Sequence, residues 1–114
     1  MNPAVAVVAT TYNERDNLEP LVKKVFALKI PNLVLVIVDD NSPDGTGKLA
    51  EELAKNFPIK VIHRAKKMGA GSAYISGFKE LLVSVRPDLI IQMDADLSHD
   101  PHEIPKLLAQ AEKY

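Results

Sequence analysis

The sequence predicts one α/β domain with a mostly parallel sheet of about four strands and helices on both faces. Four short apolar runs alternate with segments whose apolar residues recur at helical spacing. Each run gives way abruptly to polar or charged residues, as strands do where they reach the ligand-binding edge of a parallel sheet. The runs are 4–9, 33–38, 59–63 and 89–93.

The segments between these runs predict the helices. Residues 14–28 place apolar side chains at helical spacing, and Asn13 is the expected N-cap of this first helix. A second helix is expected to end before Pro58, a third before Pro87, and a fourth to start near Pro101.

Composition limits the classes of function. The 114 residues are enough for a single core, and the formal net charge of −1 provides neither a basic surface for nucleic acid nor an acidic tail. The lack of cysteine excludes disulfides, thiolate-bound zinc and thiol catalysis. Because the apolar runs are too short to span a bilayer and no leader pattern opens the chain, we expect a soluble, cytoplasmic domain.

Carboxylates follow two of the predicted strands. Asp39 and Asp40 come after the second, and Asp94 and Asp96 after the fourth. Asp-x-Asp in an extended segment can hold a hard divalent cation together with phosphate oxygens, although the alternative is that Asp94 caps a turn and Asp96 faces water. For Asp39 and Asp40 the alternative is a pair of solvated carboxylates in a loop. Asp44 lies in a Ser-Pro-Asp-Gly turn and is expected to cap the second helix.

Two weaker signals come from lysine, glycine and histidine. The stretch 64–74 combines basic residues, Arg64 among them, with two glycines ahead of a helix, which suits anion binding; a solvated turn at Lys66 and Lys67 is an equal alternative. His99 and His102 have a spacing that zinc ligands can use, but surface or capping roles are favoured because Pro101 separates them.

Four segments resemble family 2 glycosyltransferases in their order and spacing, and they cover the chain from end to end. The segments are 11–14, 38–46, 67–74 and 93–101. Within that family they are most similar to dolichyl-phosphate (polyprenyl-phosphate) mannosyltransferases. The resemblance implies a GT-A fold with a Rossmann-like nucleotide-binding half, a nucleotide-sugar donor, Mg²⁺ or Mn²⁺ as cofactor, and inversion at the anomeric carbon.

The resemblance also implies roles for individual residues. Asp94 and Asp96 would be the catalytic and metal-binding residues, with Asp96 the first choice as direct metal ligand. Thr10 and Ala70 depart from the family, which usually has Pro and Leu at these positions. The residues implied in nucleotide binding are Thr10, Tyr12, Glu14, Val38, Asp40, Asp94, Ala95 and Asp96.

The implied reaction is transfer of a hexose, with mannose favoured, from GDP-mannose or UDP-glucose to a polyprenyl or dolichyl phosphate at the cytoplasmic face of a membrane. Members of the family continue past the Asp-x-Asp motif into a second half that binds the acceptor. We therefore expect residues 1–114 to be the nucleotide-sugar-binding part of a GT-A domain, with the acceptor-binding part absent. Such a part would bind donor and be inactive alone. Homo-oligomerisation could cover strand edges that this leaves exposed.

Other classes of function remain as alternatives. One is a non-catalytic nucleotide- or metal-binding module. Another is a Toprim-like Mg²⁺-dependent nucleic-acid module, which pairs a Glu after its first strand with a later Asp-x-Asp; against it, Arg15 follows Glu14 where that family has Gly, and the charge is not basic. A receiver-like signalling domain has its acid pair after the first strand, whereas Asp39 and Asp40 follow the second.

Overall fold

The structure is a computed structural model that describes residues 4–64, 75, 79, 87–94 and 104–105. Its elements with described bounds are β1 (Val5–Thr11), α1 (Arg15–Ala27), β2 (Leu33–Asp39), α2 (Thr46–Leu53), β3 (Ile59–His63) and β4 (Leu89–Asp94). No helix within the described ranges is long and apolar enough to cross a membrane. The predicted α/β class is confirmed, and each strand begins and ends within two residues of its apolar run.

The four strands form one parallel sheet in the order β3-β2-β1-β4. The connection from β3 to β4 therefore crosses from one side of the sheet to the other. Thr11 pairs with Asp39, and Asp39 pairs with His63, so the strands end nearly level with one another. All carboxyl-terminal ends consequently lie along one edge of the sheet.

The central strands β1 and β2 are buried on both faces, as continuous apolar strands require. On one face the side chains of Val5, Val7 and Ala9 pack in a cluster with α1, α2 and Ile104. On the other face a smaller cluster contains fully buried residues of β1 and β2, namely Ala6, Val8, Val36 and Val38. Residues 75, 79, 104 and 105 are helical, in the segments that predict the third and fourth helices, and the remainder of those segments lies outside the described residues.

The prediction that Asn13 caps α1 is wrong. Asn13 has a left-handed backbone, with φ of 56°, and its N–H donates to Ser42 Oγ at 3.0 Å. The helix begins at Arg15, and its N-cap Glu14 makes no side-chain capping bond. The N–H of Arg15 donates instead to Asp44 Oδ2 at 3.2 Å. The first N–H group of α1 is thus capped by a side chain from the next βα unit.

Candidate functional site

The ends of β1, β2 and β4 bring three predicted site residues side by side. Thr10 pairs with Val38 on one side and with Asp94 on the other. Thr10 is half-buried and Val38 is fully buried, so they form the floor of this edge. The side chain of Asp94 and all of Ala95 and Asp96 lie outside the described part of the chain, and their roles stay predictions.

The loop after β1 carries two further predicted residues. Tyr12 keeps 38% of its surface exposed, which leaves ring area for stacking on a flat ligand. Glu14 is half-buried; its Oε2 accepts a hydrogen bond from Asn17 Nδ2 at 2.9 Å, and its N–H donates to Thr46 Oγ1 at 3.1 Å. Glu14 is therefore anchored to the first turns of both helices, in addition to any contact with a ligand.

Asp39 is a structural acid. It is 2% exposed, so the alternative of a solvated carboxylate is wrong. Its Oδ1 accepts hydrogen bonds from Thr11 Oγ1 at 2.7 Å and from Ser42 Oγ at 2.6 Å, and its Oδ2 accepts one from the Ser42 N–H at 3.1 Å. These bonds join β1, β2 and the loop after β2.

Asp40 is buried beside Arg64, which the sequence places in a possible anion-binding stretch and does not link to Asp40. The backbone continues the sheet beyond the strand ends, because the Asp40 N–H donates to the Thr11 carbonyl at 3.1 Å and the Arg64 N–H to the Asp39 carbonyl at 2.8 Å. Arg64 Nε lies 3.0 Å from Asp40 Oδ1, with both side chains less than a tenth exposed. One sequence signal was available: Arg64 directly follows β3, as Asp40 directly follows β2.

Asp44 connects the starts of the two helices, which confirms its predicted role at a helix end. Its Oδ1 accepts hydrogen bonds from the N–H and the hydroxyl of Thr46, and its Oδ2 accepts one from the Arg15 N–H. Burial raises the pKa of Asp44, but the Thr46 and Arg15 hydrogen bonds and the Arg15 charge outweigh it, so the pKa lies below its ordinary value. The N-cap position of α2 belongs to Gly45, whose φ of 89° suits glycine.

An open cavity of about 270 Å³ lies beside this edge, between the loop after β2 and the end of β3. Of the predicted nucleotide residues whose side chains the structure describes, none lines it. Lys48 and Arg64 bring positive charge to it, and His63 is paired through Nε2 with Glu51 Oε1 at 2.8 Å. The lining residues are Asp39, Asn41, Ser42, Pro43, Gly45, Gly47, Lys48, His63 and Arg64. This cavity is thus adjacent to the predicted nucleotide residue Asp40, which Arg64 contacts.

The metal site remains a prediction. In the described part of the chain, no group of three His, Cys, Asp or Glu residues could hold a metal ion. The predicted ligand Asp96, and His99 and His102 of the zinc alternative, lie outside that part. The backbone of Asp94 ends β4 level with Thr10, and carboxylate oxygens are the donors that Mg²⁺ and Mn²⁺ prefer.

The chain belongs to a known family of enzymes. The sequence profile of the Glycosyl transferase family 2 matches residues 6–114, and the chain is therefore a member of that glycosyltransferase family. The resemblance seen in its motifs is confirmed, and membership favours it over the Toprim-like and receiver-like alternatives.

Several relatives are named as mannosyltransferases that use a lipid phosphate. The dolichol-phosphate mannosyltransferase of Pyrococcus furiosus is 49% identical over 91% of this chain and 29% of its own length. The polyprenol monophosphomannose synthase of Mycolicibacterium smegmatis is 44% identical over 90% of this chain and 38% of its own length. The undecaprenyl-phosphate mannosyltransferase of Micrococcus luteus is 42% identical over 91% of this chain and 42% of its own length. The chain thus spans less than half the length of these relatives.

Solved structures share the fold. The mannosyltransferase PcManGT from Pyrobaculum calidifontis, in complex with GDP-Man and Mn²⁺, has a TM-score of 0.75 at 23% identity, over 84% of this chain and 28% of that one. S. aureus TarS has a TM-score of 0.71 at 22% identity, over 84% of this chain and 17% of that one. This likeness confirms the GT-A-like architecture.

Proposed function

We propose that this chain is the donor-binding part of an inverting enzyme that transfers mannose from GDP-mannose to a polyprenyl or dolichyl phosphate. The names of the relatives support the sugar and the acceptor, and the solved neighbour with GDP-Man and Mn²⁺ supports the nucleotide and the metal. The observation that carries the proposal is the level edge of the sheet, where Thr10, Val38 and Asp94 lie on adjacent strands.

Two parts of the donor would lie along this edge of the sheet. The nucleoside would contact the ends of β1 and β2 and the loop after β1, and the diphosphate would lie at the end of β4. Asp94 and Asp96 would hold Mg²⁺ or Mn²⁺, which offsets the negative charge that develops on the departing GDP. The proposed nucleoside contacts are Thr10, Tyr12, Glu14, Val38 and Asp40, and Ala95 would join Asp94 and Asp96 at the diphosphate.

The reaction follows from the chemistry of the acceptor. An oxygen of the lipid phosphate bonds to C1 of mannose while the bond from C1 to the β-phosphate oxygen breaks, and the electron pair leaves with GDP. Attack from the side opposite GDP inverts C1. Because the acceptor oxygen is already anionic, this step requires no general base from the chain.

We further propose that the 114 residues bind donor without transferring mannose, and that the groups holding the acceptor belong to the part of the relatives that this chain does not span. The full enzyme would then act at a membrane surface, where its lipid acceptor lies. Transfer of mannose to polyprenyl phosphate by the 114-residue chain would contradict this part of the proposal.

Calorimetric titration tests donor binding directly. GDP, GDP-mannose, UDP and UDP-glucose would each be titrated with Mn²⁺ and with EDTA. We expect binding of the guanine nucleotides that depends on Mn²⁺ and is lost in Asp96→Asn. Absence of binding by every nucleotide, or equal binding in EDTA, would overturn the proposed site.

Asp88→Asn is a matched control for this titration. Asp88 precedes β4 at the opposite edge of the sheet, is exposed, and accepts a hydrogen bond from the Ala4 N–H at 2.8 Å, which asparagine can also accept. The substitution removes the same charge as Asp96→Asn, but from the residue that precedes β4. Binding should be unchanged in this variant, and an equal loss in both would indicate a general charge effect.

A further inference from the structure

Asp40 and Arg64 form a buried pair at the edge proposed to bind the nucleoside. Arg64 Nε lies 3.0 Å from Asp40 Oδ1, and only 9% and 6% of the two side chains remain exposed. The residues follow adjacent strands in register, and backbone hydrogen bonds from both continue the ladder there. The backbones of both residues are therefore fixed by the hydrogen bonds of the sheet.

The pair differs from the neighbouring Asp39 in how its polar atoms are satisfied. Asp39 accepts three hydrogen bonds from Thr11 and Ser42. Among the described residues, Asp40 Oδ1 and both Nη atoms of Arg64 are buried and have no hydrogen-bond partner of normal geometry. A buried ion pair is weak support for stability even when saturated, and one with orphaned polar atoms is weaker still, so the pair calls for another explanation.

We infer that Arg64 positions the Asp40 carboxylate for recognition of the nucleotide base and so sets base selectivity. This inference rests on the proposed function, which makes Asp40 a nucleoside contact. Asp40 Oδ1 is buried against Arg64, which leaves Oδ2 as the oxygen for a base. One carboxylate oxygen can accept hydrogen bonds from both the N–H and the adjacent amino group of guanine, but only if the plane of the carboxylate is fixed. Only 6% of the Asp40 side chain is exposed, and the Arg64 charge 3.0 Å from Oδ1 would fix the plane of the carboxylate.

The chemical consequence is discrimination between guanine and hypoxanthine, which lacks the 2-amino group. The native chain should bind GDP about tenfold or more tightly than IDP, the ratio that one charge-assisted hydrogen bond provides. Arg64→Met keeps a long stem but removes the charge and the donors, and should bring the GDP-to-IDP ratio of affinities to within about threefold of one. Arg64→Lys keeps the charge without the planar fork and should give an intermediate ratio.

Titration with GDP and IDP in the presence of Mn²⁺ tests the inference, with thermal unfolding of each variant measured in parallel. Lys48→Met is the matched control, because Lys48 is an exposed cation on α2 near the same edge. Its GDP-to-IDP ratio should equal that of the native chain. In the double variant Arg64→Met/Asp40→Asn, the ratio should be no lower than in Asp40→Asn alone, since Arg64 acts through Asp40.

The outcomes separate this inference from the proposed function. A native chain that binds neither nucleotide overturns the proposed function and the inference together. If the native chain prefers GDP and both Arg64 variants keep the same preference, the inference alone is overturned. It is also overturned if the Arg64 variants bind GDP and IDP more weakly by the same factor, because that result indicates a merely structural role. If Arg64→Met does not fold, the intermediate ratio expected of Arg64→Lys decides the matter.

Discussion

Asp39 and Asp40 are adjacent residues whose side chains project toward opposite faces of the sheet. The Asp39 carboxylate lies on the side of α2 and is bonded to Thr11 and Ser42. Asp40 lies on the other side and meets Arg64. Because successive side chains of a strand alternate, two identical residues receive different environments. The Asp39 carboxylate is fully engaged in hydrogen bonds within the fold, whereas the Asp40 carboxylate keeps the capacity to accept hydrogen bonds at the carboxyl edge of the sheet.

Asp44 should confer stability that depends on pH. Its folded-state pKa lies below the ordinary value of 3.8, so between these two values the unfolded chain binds more protons than the folded chain. The free energy of unfolding therefore rises with pH in that window. The contribution is fully present above pH 3.8 and is lost as the pH falls through the folded-state pKa. Thermal unfolding of Asp44→Asn would be measured between pH 6 and pH 2. We expect a lower Tm than that of the native chain near neutrality, and a smaller fall in Tm as the pH is lowered, which is a flatter acid limb.

Glu52→Gln provides the control for this measurement, because Glu52 is an exposed carboxylate on α2. Its Tm should follow that of the native chain through the acid range. An acid limb in Asp44→Asn as steep as that of the native chain would show that the low pKa of Asp44 does not contribute to the acid sensitivity of the fold.

At the scale of elements, α2 packs against β2 and β3 at Gly47, where any side chain would be crowded. A Cβ atom on Gly47 would lie 3.0 Å from Asp39 Oδ2 and 3.2 Å from the His63 ring. The Asp39 carboxylate cannot retreat easily, because three hydrogen bonds hold it. The close approach of α2 to the sheet thus depends on the absence of a side chain at Gly47 and on the fixed position of the Asp39 carboxylate.

Gly47→Ala should therefore destabilise the fold, although alanine is the better helix former. We expect a loss of about 1–3 kcal/mol in the free energy of unfolding, as overpacking costs, measured by urea denaturation. Lys48→Ala, on the exposed side of the same helix, should stay within about 0.5 kcal/mol of the native chain. Equal stability of Gly47→Ala and the native chain would mean that α2 can shift away from the sheet at little cost.

At the scale of the whole molecule, donor binding should stabilise the entire domain, since the proposed contacts come from three strands. GDP with Mn²⁺ at about 100 times its dissociation constant would add roughly 2.7 kcal/mol, which corresponds to a rise in Tm of about 10 °C for a domain of this size. Differential scanning fluorimetry would measure the shift. ADP with Mn²⁺, and GDP with EDTA, should give much smaller shifts; a rise of the same size with ADP would argue against a guanine site.

Much of the fold could be predicted because its signals are local. Continuous apolar runs such as 33–38 indicate buried parallel strands, and helical spacing over 14–28 predicts α1, which spans Arg15–Ala27. The same runs end in the residues that the motifs marked, so the position of Thr10, Val38 and Asp94 along one edge of the sheet was predictable as well. The cap of α1 was not, because its acceptor Asp44 comes from 29 residues further along the chain.

The sequence by itself determined the α/β class, the order of strands and helices, the family, and the candidate residues at the strand ends, because periodicity and motif spacing are properties of short segments. Only the tertiary structure decided the strand order β3-β2-β1-β4, the structural role of Asp39 and the pairing of Asp40 with Arg64. These depend on which strands lie side by side and which face each residue meets. Contacts between residues distant in sequence settle both, and no local pattern encodes them.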